Sequence, residues 1–121
     1  MIEIVLTNHA LDEFRRHRKA KGDLFRQVVS FFSKNPVLIS ATAYTLPRGG
    51  KLPTSKGIVN YLGRSSWEVS GALFVLIYEN NEYVAVTTLS GREFRRSVKR
   101  KIIKDISEQP IRGYVYKHGR E

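Results

Sequence analysis

The period of apolar and polar positions changes several times along the chain, and each change predicts an element. Ile2 to Leu6 is a short apolar run with no basic leader and no small-residue cleavage site, which predicts a first strand and not a signal peptide. Thr7 or Asn8 offers an N-cap oxygen for the helix that follows. In that helix Ala10, Leu11 and Phe14 form a narrow apolar stripe, and charge covers the rest through Arg15, Arg16, His17, Arg18 and Lys19. Gly22-Asp23 breaks the chain, with Asp23 as the next cap. Leu24, Phe25, Val28, Val29, Phe31 and Phe32 then recur at helical spacing and predict a second, well-buried helix, which Pro36 ends.

From Val37 the period turns towards strand. The pattern predicts strands over Val37–Leu46, Gly57–Arg64, Trp67–Tyr78 and Tyr83–Leu89, with a basic loop from Arg48 to Gly57 and a hairpin turn at Glu79-Asn80-Asn81-Glu82. Ser90 or Gly91 starts a last helix. Phe94, Val98, Ile102, Ile103 and Ile106 fall on one of its faces, and Pro110 stops it. The expected fold is therefore α+β: two N-terminal helices, a four-stranded antiparallel sheet and a basic C-terminal helix. Residues 1–110 would form a single domain and residues 111–121 a polar C-terminal tail. No apolar run approaches the roughly 18 residues that a bilayer-spanning helix needs.

Charge narrows the function. The chain carries 21 Lys plus Arg against 11 Asp plus Glu, a formal net charge of +10. Such a balance favours polyanions, whether RNA, DNA, an anionic membrane surface or an acidic protein, and is neutral about fold; the aromatics of the chain put RNA before DNA. With no cysteine there is no disulfide framework and no thiolate nucleophile or metal ligand, which fits a reducing, cytoplasmic setting. Seven of the thirteen residues from Arg92 to Lys104 are cationic, and Glu93 is the only acid among them. Like charges at i, i+4 oppose helix formation, so a face of this kind points to phosphate contact, whereas an ordinary solvated face mixes signs. The nucleic-acid-binding candidates are Arg15, Arg18, Lys19, Lys51, Lys56, Arg92, Arg95, Arg96, Lys99 and Arg100.

Four residues are candidates for chemistry. His9 stands in the first turn of a helix, where backbone N–H groups favour an anion, and a neutral imidazole there would serve as general base; the alternative is a capping or packing histidine. Arg16 and Arg64 would stabilise a phosphorane, and Thr88 lies with Thr87 and Ser90 where hydroxyls would hold a phosphate. Tyr44, Tyr61, Trp67, Tyr78 and Tyr83 put aromatics on the sheet and its loops, and an exposed one would stack on unpaired bases. The chain has no P-loop, no paired metal-ligand spacing and no GxSxG, so no metal and no cofactor is expected. Ribonucleolysis by the substrate's own 2′-hydroxyl suits such a set.

The element order, together with Leu6-Thr7-Asn8-His9-Ala10-Leu11-Asp12-Glu13-Phe14, resembles the RelE-like toxin superfamily, within which one small family opens on His-Ala-Leu, an acid and Arg. Where that family carries Arg four residues after the His, this chain has Glu13, with Arg15 and Arg16 displaced by two and three positions. The resemblance implies a RelE-like fold and an active site of His9, Arg16 and Thr88. It also implies an endoribonuclease of toxin type, silenced by an acidic antitoxin protein. Two rivals need no chemistry: a non-catalytic nucleic-acid-binding module for RNA or DNA, and an inhibitory protein that occupies a nucleic-acid site on another protein.

Overall fold

A computed structural model describes residues 2–19, 21–32, 36–43, 57–64 and 71–119 of the chain. In chain order they form β1 (Ile2–Leu6), α1 (Asn8–Arg18), α2 (Leu24–Phe31), β2 (Pro36–Ala43), β3 (Ile58–Arg64) and β4 (Ala72–Glu79). These are followed by β5 (Glu82–Ser90), α3 (Gly91–Lys99), β6 (Ile103–Pro110) and β7 (Tyr114–His118). All the strands join one mixed sheet in the order β6-β2-β3-β4-β5-β1-β7. β1 runs parallel to both its neighbours, β5 and β7, and the remaining pairs are antiparallel.

This corrects the expected architecture of two helices, a four-stranded antiparallel sheet and a C-terminal helix. The meander β2–β5 forms, and three more strands flank it. β6 covers the β2 edge, while β1 and β7 extend the sheet beyond β5. Both faces of this sheet are covered: in β4, Ala72, Phe74 and Leu76 face one core and Leu73 and Val75 face another, all at 2% exposure or less. A strand apolar on both sides must be covered on both faces. α1 and α2 cover one face through Leu11, Phe14, Val28 and Phe32. α3 covers the other through Phe94, whose ring meets Tyr61 edge-on at 5.0 Å. α2 is less buried than its apolar period suggests, since Val29 is exposed and Leu24, Phe25 and Phe31 are only partly covered.

The last helix is the main local departure. It ends at Lys99, not near Ile106, because the chain turns left-handed at Lys101 (φ 61°). Ile102 N–H bonds the Ser97 carbonyl at 2.9 Å and Lys101 N–H bonds that of Val98 at 3.0 Å, the two bonds of a Schellman cap. Residues 103–110 then pair with β2. Opposite Ala41 the register slips, so that Asp105 (φ 51°) and Ile106 face one residue. That β-bulge puts Ile103 and Ile106 on the same side of the sheet although they are three apart, a spacing that also suits a helix. Tyr114–His118, expected in the tail, lies beside β1, from Ile2 opposite Tyr114 to Leu6 opposite His118.

Candidate nucleic-acid interface

α1 starts where β1 stops and runs over the second half of β5. Thr7 caps it, its Oγ1 accepting from Ala10 N–H at 3.2 Å and donating to the Ala85 carbonyl at 2.7 Å. One turn on, Thr88 Oγ1 donates to the Ala10 carbonyl at 2.7 Å. A second register slip, between Val75 and Leu76, makes Val86 the extra residue of β5 and lets Ala85 and Thr88 share the α1 face. Near the helix end, His17 Nε2 lies 3.3 Å from the Thr88 carbonyl. A carbonyl only accepts, so Nε2 carries the hydrogen. These polar contacts fix which end of the sheet receives the basic last turn of α1.

His17 also reaches α3. Its side chain is 12% exposed, with Nε2 3.7 Å from Glu93 Oε1 and 3.9 Å from Glu13 Oε2. Glu13 in turn pairs with Arg16, whose side chain is 58% exposed. Glu93 closes a capping box on α3: Glu93 N–H donates to Ser90 Oγ at 3.1 Å, and Ser90 N–H donates to the Glu93 carboxylate at 3.2 Å. Arg96 is one turn from Glu93 along α3. Arg16, Glu13, His17 and Glu93 thus form a run of polar side chains from one helix to the other. His17 and Glu93 were not among the candidates, yet Ser90-Gly91-Arg92-Glu93 has the capping-box spacing in plain sequence.

Arg64 arrives at the same end from β3. Arg64 is the last residue of β3, paired with Pro36 on β2, and β3 pairs with β4 as far as Leu62 opposite Phe74. The guanidinium carbon of Arg64 lies 5.2 Å from the centre of the Phe31 ring, and that of Arg18 lies 4.5 Å from it. Phe31 ends α2 and is held edge-on against Phe14 and Phe32, with ring centres 5.6 and 4.7 Å away. A cleft of about 260 Å³ opens beside it, lined by Phe14, Arg18, Gln27, Ser30 and Phe31.

The proposed chemical residues are divided. Arg16 and Arg64 share the end just described. His9 is exposed in the first turn of α1, nine residues from Arg18 and so about 13 Å away along the helix. Thr88 is 1% exposed, with its hydroxyl engaged by Ala10. Among the binding candidates, Arg15 is within 3.4 Å of Asp12, Lys19 caps α1 in a left-handed conformation, and Arg92, Arg95, Arg96, Lys99 and Arg100 are exposed on α3. Lys51 and Lys56 lie outside the described residues, as do Tyr44 and Trp67.

The other end of α1 carries a second feature. His118, within the expected polar tail, sits at the end of β7 with Nε2 2.8 Å from Asn8 Oδ1 and its ring stacked on Phe25 at 5.6 Å. Together with Leu11, Asp12 and Asp23 they border a shallow cleft of about 390 Å³. Among the described residues, no group of three or more His, Asp and Glu is disposed to hold a metal ion, and no helix is long and apolar enough to cross a membrane. Comparison with protein-family models, curated proteins and solved structures finds no match to the chain.

Proposed function

We propose that the protein binds RNA at the end of the sheet where α1, α3 and β3 meet. The observation that carries this reading is the link through His17 and Glu93, by which two basic segments far apart in sequence become neighbours. Arg64 extends the surface across the sheet, and the +10 charge of the chain gives it a long-range preference for polyanions. Contacts to phosphate make such binding fall with salt, because each neutralised phosphate releases condensed counterions. A cytoplasmic setting accords with this reading and with a chain that lacks cysteine.

A second reading, cleavage of the RNA without a metal, has one observation in its favour. An imidazole, His17, stands between two carboxylates and beside the Glu13–Arg16 pair, while His9 stands at the far end of the helix. In that reaction the 2′-hydroxyl attacks phosphorus and the 5′-oxygen leaves. A base takes the first proton, an acid returns one to the leaving oxygen, and guanidiniums balance the phosphorane charge.

One gel separates the two. Labelled single-stranded RNA and matched DNA are incubated with the protein in EDTA, at low and raised salt. A mobility shift of intact RNA that salt abolishes is the expected result. Cleavage to 2′,3′-cyclic phosphate ends that is lost in His17→Gln and kept in His9→Ala would establish the second reading with His17 as its acid–base group. RNA that neither shifts nor breaks at low salt would overturn both.

A further inference from the structure

We infer that Phe31, Arg18 and Arg64 form a seat for one unpaired nucleotide, so that the protein selects single-stranded over duplex RNA; this rests on the RNA-binding reading and names its substrate class. The guanidiniums of Arg18 and Arg64 approach one ring, at 4.5 and 5.2 Å, and the ring attracts both. A phosphate at that ring would lie near two planar forks whose N–H groups donate to its oxygens. Beside the same ring lies the cleft of about 260 Å³, lined by Phe14, Phe31, Arg18, Gln27 and Ser30. Its volume falls below the roughly 300–1,000 Å³ of sites that take drug-sized ligands, which suits a single base. Aromatic faces and guanidinium planes are the surfaces on which splayed-out bases stack, and paired bases inside a helix do not present their faces.

The pair of tyrosines on the sheet, one exposed and one half-buried, is a poorer seat. Tyr78 and Tyr83, with ring centres 4.9 Å apart, sit at the opposite end of β4 and β5. They are flanked by Glu79 and Glu82, whose carboxylates oppose a phosphate. Phe31 has cations where Tyr78 has acids. Its ring is also fixed by Phe14 and Phe32 before any ligand arrives, which lowers the ordering cost of stacking.

The test compares the full chain with its Phe31→Leu and Arg64→Gln variants in titrations against three labelled probes: a short single-stranded RNA, the same RNA as a duplex, and an abasic strand with the same phosphates. The intact strand should bind about tenfold tighter than the abasic one, the gain of roughly one stacked base. Phe31→Leu should remove that tenfold and leave the salt dependence as it was. Arg64→Gln, which leaves the rings of Phe14, Phe31 and Phe32 in place, should lower the slope of log K against log salt by about 0.7, the share of one single-strand phosphate contact. A thermal melt of Phe31→Leu shows whether it folds, and Arg64→Gln keeps the test alive if it does not. Equal binding of intact and abasic strands would overturn the seat and leave the RNA reading standing, and equal binding of single strand and duplex would do the same. Failure of the parent chain to bind any probe would overturn both.

Discussion

Several side chains in this molecule owe their behaviour to a single neighbour or to the lack of one. Thr88 has the composition of a phosphate-holding residue and the position of a structural one, because the Ala10 carbonyl lies 2.7 Å from its hydroxyl. Tyr61 is the reverse case. Its hydroxyl is buried with no hydrogen-bond partner among the described residues, and burial pushes its ionisation well above the ordinary tyrosine range. Tyr116 is shifted upward as well, chiefly by burial. A buried hydroxyl without a partner costs about 1–3 kcal/mol. Tyr61→Phe is therefore expected to leave stability at neutral pH unchanged or to raise it by about 1 kcal/mol, as read from urea unfolding. The pH dependence follows from the direction of the shift. The folded state holds these phenolic protons more tightly than the unfolded chain, so their contribution is complete below the ordinary value of about 10 and is lost as pH rises beyond it. Melting temperature should fall above that pH in the parent chain, and less steeply in Tyr61→Phe. An equally steep fall in the variant would mean that Tyr61 ionises in the unfolded and folded states alike.

At the scale of elements, what could be read from sequence was whatever is decided locally. Asp23 caps α2, its carboxylate accepting from Arg26 N–H at 3.1 Å. Asn80 and Asn81 both take positive φ, 50° and 62°, as a two-residue hairpin turn of type I′ requires. The β-rich centre of the chain forms strands because its branched and aromatic residues suit a pleated, covered surface. The stretch after Ser97 was not legible for a definite reason. Phe94, Val98, Ile102 and Ile106 repeat every four residues, and a helix face, or a strand that contains a bulge, can both produce that list. The decision lies in Lys101 and Asp105, two non-glycine residues at positive φ, neither of which has the sequence signature of a stop. Of the candidate site, the basic segments and Arg64 were visible. The pairing of His17 with Glu93 and the meeting of two arginines over Phe31 were not, since both depend on which strands are neighbours. If Lys101 stops α3 against its own preference, glycine should do so at lower cost. Lys101→Gly is expected to stabilise the fold by up to about 1 kcal/mol, the steric penalty less the entropy that glycine adds to the unfolded chain. A loss of stability in urea unfolding would show that the Lys101 side chain contributes more than its conformation costs.

Over the whole molecule the question is whether the cations of α1 and α3 act as one surface. The two helices cover opposite faces of the sheet, so a ligand confined to either face would meet only one of them. They come together where the last turn of α1 passes the capping box of α3; Arg16 pairs with Glu13 on one side, and Arg96 is one turn after Glu93 on the other helix. An RNA strand that runs over the sheet end touches both helices. One that lies along the cleft beside Phe31 touches α1, α2 and β3 and misses α3. Salt dependence distinguishes these paths, because each lost single-strand phosphate contact removes about 0.7 from the slope of log K against log salt, whichever helix supplied it. Arg16→Gln and Arg96→Gln are each expected to lower the slope by about that amount, and the double variant by the sum. Binding curves at four or so salt concentrations would measure this. A slope that responds to Arg16→Gln and ignores Arg96→Gln would confine the RNA to the α1 side. The four exposed arginines and lysines of α3, from Arg92 to Lys99, and Arg100 after them would then be left for a different polyanion or an acidic protein surface. Slopes that fall for both variants would mean that the His17–Glu93 contact joins two half-sites, and that the strand crosses from one face of the sheet to the other at that point.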